Sequence, residues 1–354
     1  MLIAIAFLVA LFFAMNIGGS GAAASMGIAY GSGAIKHKYV ALILCALGIF
    51  LGAAIGSEKV IKTIGSGLIP TSLLSLELII VILASACVTL FIANILGIPL
   101  STSEVTVGSI VGVGFAYQTV FFHNLFHIVI WWLVTPIIAF VFSFFVGRLI
   151  EKQKTRLTQL LHKYYHTFIY FVIGMGFLEA FSAGMNNAAN AIGPLVGAGV
   201  LSIKQGMILG GAFVALGVIF LGHRTIETNG KKITSLSLVQ GVSVSGTSAI
   251  IVIIASLFGI PVPMTQITTS GILGIGASNH GLRIFQRHII KKIIAIWLVS
   301  PLLSLTIAYT LVQLMIENNL YSSLAIMSVL FSTVGTFMLI KIVKNEQNLK
   351  QRRI

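Results

Sequence analysis

Asn186, Asn187 and Asn190 place three carboxamides within five residues, deep in apolar sequence. They belong to the stretch Gly184-Met185-Asn186-Asn187-Ala188-Ala189-Asn190-Ala191-Ile192-Gly193-Pro194, whose other members are mostly small. Each amide carries two N–H donors, so the cluster can hold an anion. The Gly and Pro residues predict an interrupted helix, and a broken helix at membrane depth is tolerated only where it is buried in protein or lines a cavity. A break also frees backbone N–H groups at the start of the next half-helix, which favour negative charge. Residues 18–27 have the same outline, with Ser20, Gly21 and Ser25 among Gly and Ala. The two stretches predict two halves of one anion-binding site.

Two further polar interruptions follow apolar runs. Residues 99–104 carry Ser101, Thr102 and Ser103, and residues 259–266 carry Thr265 at the position matching Ser103. The candidate anion ligands are therefore Ser20, Gly21, Ser101, Thr102, Ser103, Asn186, Asn187, Asn190 and Thr265. Each has a plainer reading. Buried amides also tie membrane helices together, and small residues such as Ser25 let helices approach closely. Ser101 followed by Glu104 spells a capping box, although a capped half-helix still presents N–H groups to an anion. Among ionisable groups, Glu179 and Glu104 fall at membrane depth, where such residues are functional candidates by default. Glu179, five residues before Gly184, is the first candidate for a coupling proton, and Glu104 the second. Glu77 is expected at a span end, and His123, His127, His162 and His166 near the membrane surfaces.

The elements that must position these residues follow from composition. Of 354 residues, 57% are hydrophobic and only 8% charged, against about 25% charged in soluble proteins. Mean hydropathy is +1.04, and apolar runs of spanning length recur. An all-α polytopic membrane protein is expected, and a soluble helical domain is excluded. The net charge of +14 would suggest nucleic acid in a soluble chain. Here the basic residues lie between apolar segments, at 148–163, 224–232, 283–292 and 341–353. That is the pattern of cytoplasmic loops, or of a surface for membrane lipid, and no nucleic-acid partner is expected. All eight acidic residues are Glu. Cys45 and Cys87 read as buried structural thiols. No cleavable signal is evident, because the first apolar run flows into the Gly-rich stretch.

The chain reads as a duplication. Residues 1–147 form a first membrane repeat, 148–166 a basic cytoplasmic linker, 167–340 a second membrane repeat and 341–354 a basic tail. Three anchors recur in order: Gly18 and Gly184 (166 residues apart), Pro99 and Pro261 (162), and Trp132 and Trp297 (165). Matching loops differ in charge. Residues 283–292 carry four basic residues, and their counterpart at 117–127 carries no Lys or Arg. Opposite bias places matching loops on opposite sides of the membrane. Two inverted structural repeats, with discontinuous helices meeting at the bilayer midplane, are the expected architecture.

Residues 184–193, GMNNAANAIG, resemble the duplicated GANDVANAFG signature of the inorganic phosphate transporter (PiT) family. PLSTSE at 99–104 and PVPMTQ at 261–266 are similar to that family's PVSTTH segments, and the two Trp-Pro stretches also fit. The resemblance implies inverted repeats, a central oxyanion site, cation-coupled uptake and a homodimer. The departures are specific. The signature Asp falls on Asn187 in the second half, and Ser20, Gly21 and Ala24 replace all three polar positions in the first. The terminal His becomes Glu104 and Gln266. Sulfate is fully ionised and needs donors only, whereas an ionised carboxylate only accepts. Losing both Asp residues also weakens a site for a hard cation. Sulfate with a coupling proton is therefore expected, sodium being the less favoured ion, as in the sulfate-permease branch of Gram-positive bacteria and hence in a bacterial plasma membrane. Sodium-coupled phosphate import and a passive anion channel are the alternatives. No H-E-x-x-H, G-x-S-x-G or carboxylate dyad is present, so neither an enzyme, a cofactor nor a metal site is expected.

Overall fold

Inside lipid, backbone polar groups must be bonded within the protein, which leaves helices as the structure that long apolar runs can form. The computed structural model describes residues 1–95, 100–231, 236–281, 288–322 and 324–325, and no strand occurs among them. Pro99, residues 283–287 of the basic loop at 283–292, most of the expected span at 321–340 and the tail at 341–354 fall outside the described residues.

In the first half the helices are α1 (Leu2–Gly19), α2 (Gly27–Gly31), α3 (Lys38–Gly56), α4 (Glu58–Ser66), α5 (Leu76–Ile95), α6 (Thr102–Ala116) and α7 (Phe122–Lys152). A short helix α8 (Lys154–Lys163) occupies the basic linker. The second half has α9 (Tyr165–Gly197), α10 (Ile203–Leu221), α11 (His223–Lys231), α12 (Leu238–Leu257), α13 (Met264–His280) and α14 (His288–Met315). Seven segments among the described residues are long and apolar enough to cross a membrane, with α6 and residues 299–315 of α14 shorter.

Ser202 and Ser237 begin α10 and α12 with full capping boxes, closed by Gln205 and Gln240. At α6 only half of the expected box forms. Ser101 Oγ accepts from Glu104 N at 3.3 Å, but the Glu104 side chain turns elsewhere.

Helices pair reciprocally across the halves. Helix α3 packs on α9 and α10 on α1, while α6 packs on α14 and α13 on α7. The short helix α4 lies on α9, and its counterpart α11 lies on α2 and on a 3-10 turn at Ala22–Met26. Glycines make several of these approaches possible. A Cβ at Gly52 or Gly184 would strike the backbone of the facing helix at Phe181 or Ile49, and one at Gly18 or Gly217 would strike Val214 or Met15. Gly108 does the same against Pro301, and Gly274 against Phe140. Small residues at membrane helix contacts serve this close packing.

One expectation is corrected. The Asn-rich stretch does not break its helix: α9 runs unbroken for 33 residues with Pro194 inside it. Proline removes one i→i−4 bond, but Pro194 stands within a turn of the helix end, and the Ala residues before it are the strongest helix formers. Gly184 and Gly193 serve close packing against α3 and α4 instead of a bend. The real interruptions are elsewhere: between α5 and α6, between α12 and α13, and after α1, where the 3-10 turn precedes α2.

Candidate anion-binding site

Helix α9 presents its polar groups from its side. Glu179, Asn186 and Asn190 are seven and four residues apart, spacings that share one helix face. All three are buried. The start of α6 meets this face. Thr102 Oγ1 donates to Asn187 Oδ1 at 2.9 Å, and Ser103 Oγ donates to Asn186 Oδ1 at 3.2 Å. Asn190 Nδ2 donates to both hydroxyls, at 3.3 Å to Thr102 Oγ1 and 3.2 Å to Ser103 Oγ. Asn190 Oδ1 is buried without a partner among the described residues. Among the described residues Asn187 Nδ2 has only the thioether of Met264, at 3.8 Å, and sulfur is a weak acceptor.

Asn186 does a different job. Its Nδ2 donates to Ser256 Oγ and to Ile260 O, both at 3.1 Å, and its Oδ1 accepts from Val262 N at 3.2 Å. These bonds pin the connection between α12 and α13. The amide is thereby saturated, and it orients the break instead of pointing free donors at a ligand.

The first-half stretch faces the start of α13. A Cβ at Gly21 would stand 2.6 Å from Thr265 Oγ1, so only glycine fits there as the chain lies. Thr265 Oγ1 donates to Leu100 O at 3.2 Å, which ties the start of α13 to the residue just before the Ser101 cap. Ser20 turns its hydroxyl back onto Ile17 O at 3.1 Å. Ser25 likewise bonds Ala22 O at 3.0 Å, a packing role. The pairing is crossed: second-half amides meet the first-half half-helix, and Gly21 of the first half meets the second-half half-helix.

Neither carboxylate enters the amide cluster. Glu104 turns from Thr102 and Ser103 towards the opposite side of α6, where Gln266 Nε2 donates to Oε1 at 2.5 Å and Ser300 Oγ to Oε2 at 3.4 Å. Glu104 and Gln266 occupy matching positions in the two halves. They line a largely apolar cleft of about 530 Å³, together with the matching pairs Trp132 and Trp297, and Pro136 and Pro301. Trp132 Nε1 donates to Pro261 O at 2.9 Å. Glu179 Oε1 accepts from Thr268 Oγ1 at 2.7 Å, and Thr268 Oγ1 lies 2.7 Å from Ser248 Oγ. Ser248, Ser256, Thr268 and Ser300 were not singled out in the sequence. Thr268 alone had a local signal, standing one helical turn after Thr265. Glu77 is exposed at the start of α5, and His123, His127, His162 and His166 are exposed.

The arrangement offers an anion the side-chain donors of Asn187 and Asn190, the hydroxyls of Thr102, Ser103 and Thr265, and the backbone N–H groups that open α6. The first turn of a helix leaves such N–H groups free, and its dipole favours negative charge.

Comparisons with known proteins bear on the fold and the family. Residues 17–308 match the family model described as the phosphate transporter family. The sulfate permease CysP of Bacillus subtilis (strain 168) is 51% identical over 342 residues, covering 97% of this chain and 96% of that protein. A putative phosphate permease of Pyrococcus furiosus is 27% identical, covering 81% and 90%. A solved structure titled the sodium-dependent phosphate transporter superposes with a TM-score of 0.74 at 24% identity, covering 89% of this chain and all of that one. Helices that cross a plasma membrane several times, in a chain matching this family and similar to permeases, are those of a transporter; the chain belongs to the phosphate transporter family.

Proposed function

We propose that the chain is a secondary active importer of sulfate, driven by a proton gradient, with two inverted repeats crossing at the anion site. The observation that carries this reading is the absence of a carboxylate from the cluster of Thr102, Ser103, Asn186, Asn187, Asn190 and Thr265, among which every side chain can donate a hydrogen bond. Its support is the 51% identity to a protein named as a sulfate permease. A fully ionised tetrahedral anion keeps four acceptor oxygens and brings no proton for a carboxylate to accept. In a buried site, donors aimed at such charge act more strongly than they would in water. The anion draws the Thr102 and Ser103 protons away from the amide oxygens of Asn187 and Asn190's neighbour Asn186, and Asn187 Nδ2 gives up its thioether contact. Gly21 and Ser20 wall the site from the first half, Ser101 holds the start of α6, and Asn186 keeps the start of α13 in place.

Glu179 carries the coupling proton in this reading, being buried at membrane depth without an ion pair among the described residues. Glu104 is the alternative carrier. The transporter works as a homodimer in the bilayer, its exposed apolar helix faces against lipid or the second copy. Sodium-coupled phosphate import is the competing reading, favoured by the name of the solved relative. Uptake of labelled sulfate and phosphate into proteoliposomes, under an imposed proton or sodium gradient, tests it. Sulfate accumulation that follows the proton gradient is expected. Phosphate accumulation driven by sodium, with no sulfate uptake, would falsify the proposal, and sulfate entry without accumulation would make the chain a passive channel.

A further inference from the structure

We infer that Thr268 is the positioning residue through which the protonation state of Glu179 is passed to the anion site. The inference rests on the proton-coupled reading above and adds the residue that does the coupling. Glu179 does not touch the amide cluster: it stands seven residues before Asn186 on α9, about 10 Å along the helix axis. Its hydrogen bond is with Thr268, at 2.7 Å, the hydroxyls of Ser245 and Ser248 stand near the same carboxyl, and its second oxygen, Oε2, is buried with no well-formed hydrogen bond among the described residues. Thr268 in turn touches Ser248 of α12 at 2.7 Å. Three helices therefore meet at one hydroxyl.

A threonine hydroxyl has one proton to give and lone pairs to accept with. When Glu179 is ionised, the Thr268 proton points to Oε1, and Ser248 donates to Thr268. When Oε1 takes a proton, that proton points to Thr268, whose own proton swings to Ser248. The row of three groups keeps its bonds in both states and reverses its direction. Thr268 lies one turn after Thr265, about 4.5 Å along α13. Thr265 is bonded to Leu100 O and stands against Gly21, and the approach to α13 is pinned by Asn186. The first two turns of α13 therefore touch both the carboxyl and the anion cluster, and a reversal at Thr268 is felt at Thr265. The groups around Glu179 are few. Helix α3 brings Cys45, whose Sγ donates to Ala22 O at 3.3 Å, and α12 and α13 bring the hydroxyls of Ser245, Ser248 and Thr268.

The test uses the full chain in proteoliposomes with labelled sulfate, comparing wild type, Thr268→Val, Thr268→Ser and Ser248→Ala. Accumulation driven by the proton gradient should fall about tenfold in Thr268→Val, the scale of one lost charge-assisted hydrogen bond. Its pH profile should flatten or move by about one unit, and Thr268→Ser should restore both. Ser248→Ala keeps the bond to Glu179 but cuts the row behind it, and should move the pH profile less. A Thr268→Val protein with the wild-type pH profile overturns the inference while leaving proton-coupled import standing. If Thr268→Val fails to fold, an unmoved profile in Ser248→Ala overturns it. A wild-type protein whose sulfate uptake ignores pH overturns the proton-coupled reading and this inference together.

Discussion

The two Gly-rich stretches match in sequence but take different structures. Residues 184–193 lie in the C-terminal half of an uninterrupted α9, and their amides project sideways into the start of α6. Residues 18–27 end α1, pass through a 3-10 turn and lead into a helix of five residues, with Ser20 bonded to its own helix end. One half keeps its polar groups on a rigid rod and turns them outward. The other half has lost them, and its backbone closes against Thr265. Two stretches of matching sequence can thus share close packing while polar groups collect on one of them, since the packing needs only small residues.

Substitutions can break this contrast. On the rich side, Asn187→Ala or Asn190→Ala should lower sulfate uptake about a hundredfold, because buried hydroxyls lose partners along with the anion. Uptake rates beside an unchanged size-exclusion profile check that, and uptake near wild type would return these amides to a structural role. Asn186→Ala strands Val262 N and Ser256 Oγ, so a stability loss of about 2–3 kcal/mol is expected, read as a lowered thermal midpoint. No thermal change would show that the start of α13 holds without it. On the poor side, Gly21→Ala should lower uptake about tenfold by displacing Thr265, the scale of an overpacked core. The same change should have almost no further effect in a Thr265→Ala background, and equal losses in both backgrounds would remove the contact from the site. Ser20→Ala should change uptake by less than about twofold, since its hydroxyl serves only Ile17 O, a bond worth about 1 kcal/mol or less. A loss as large as that of Asn190→Ala would mean that both halves bind.

Much of this could be read from residue types. The helical membrane class followed from hydropathy. The half-helix starts at α6 and α13 were legible because Pro and hydroxyl residues interrupt apolar runs there. The supposed break at Gly193-Pro194 was not, because glycine reads alike whether it bends a chain or admits a neighbour, and the α3 and α4 backbones that press on α9 come from distant sequence. Glu104 looked like half of a capping box, yet its carboxyl is drawn away by Gln266 and Ser300, 162 and 196 residues on. Asn186 and Asn187 were indistinguishable by type. Their separate roles come from the angle each takes on α9, one towards the α12–α13 connection and the other towards Thr102.

The glycine contacts also constrain motion. Backbone lies close on backbone at Gly52 with Phe181, Gly18 with Val214, Gly108 with Pro301 and Gly274 with Phe140, so each of these helix pairs is tightly packed. Tight packing of this kind favours motion of each pair as one body. Give is left only at the seams between pairs, and the Glu104–Gln266 bond spans one of them, joining the α6–α14 block to the α7–α13 block.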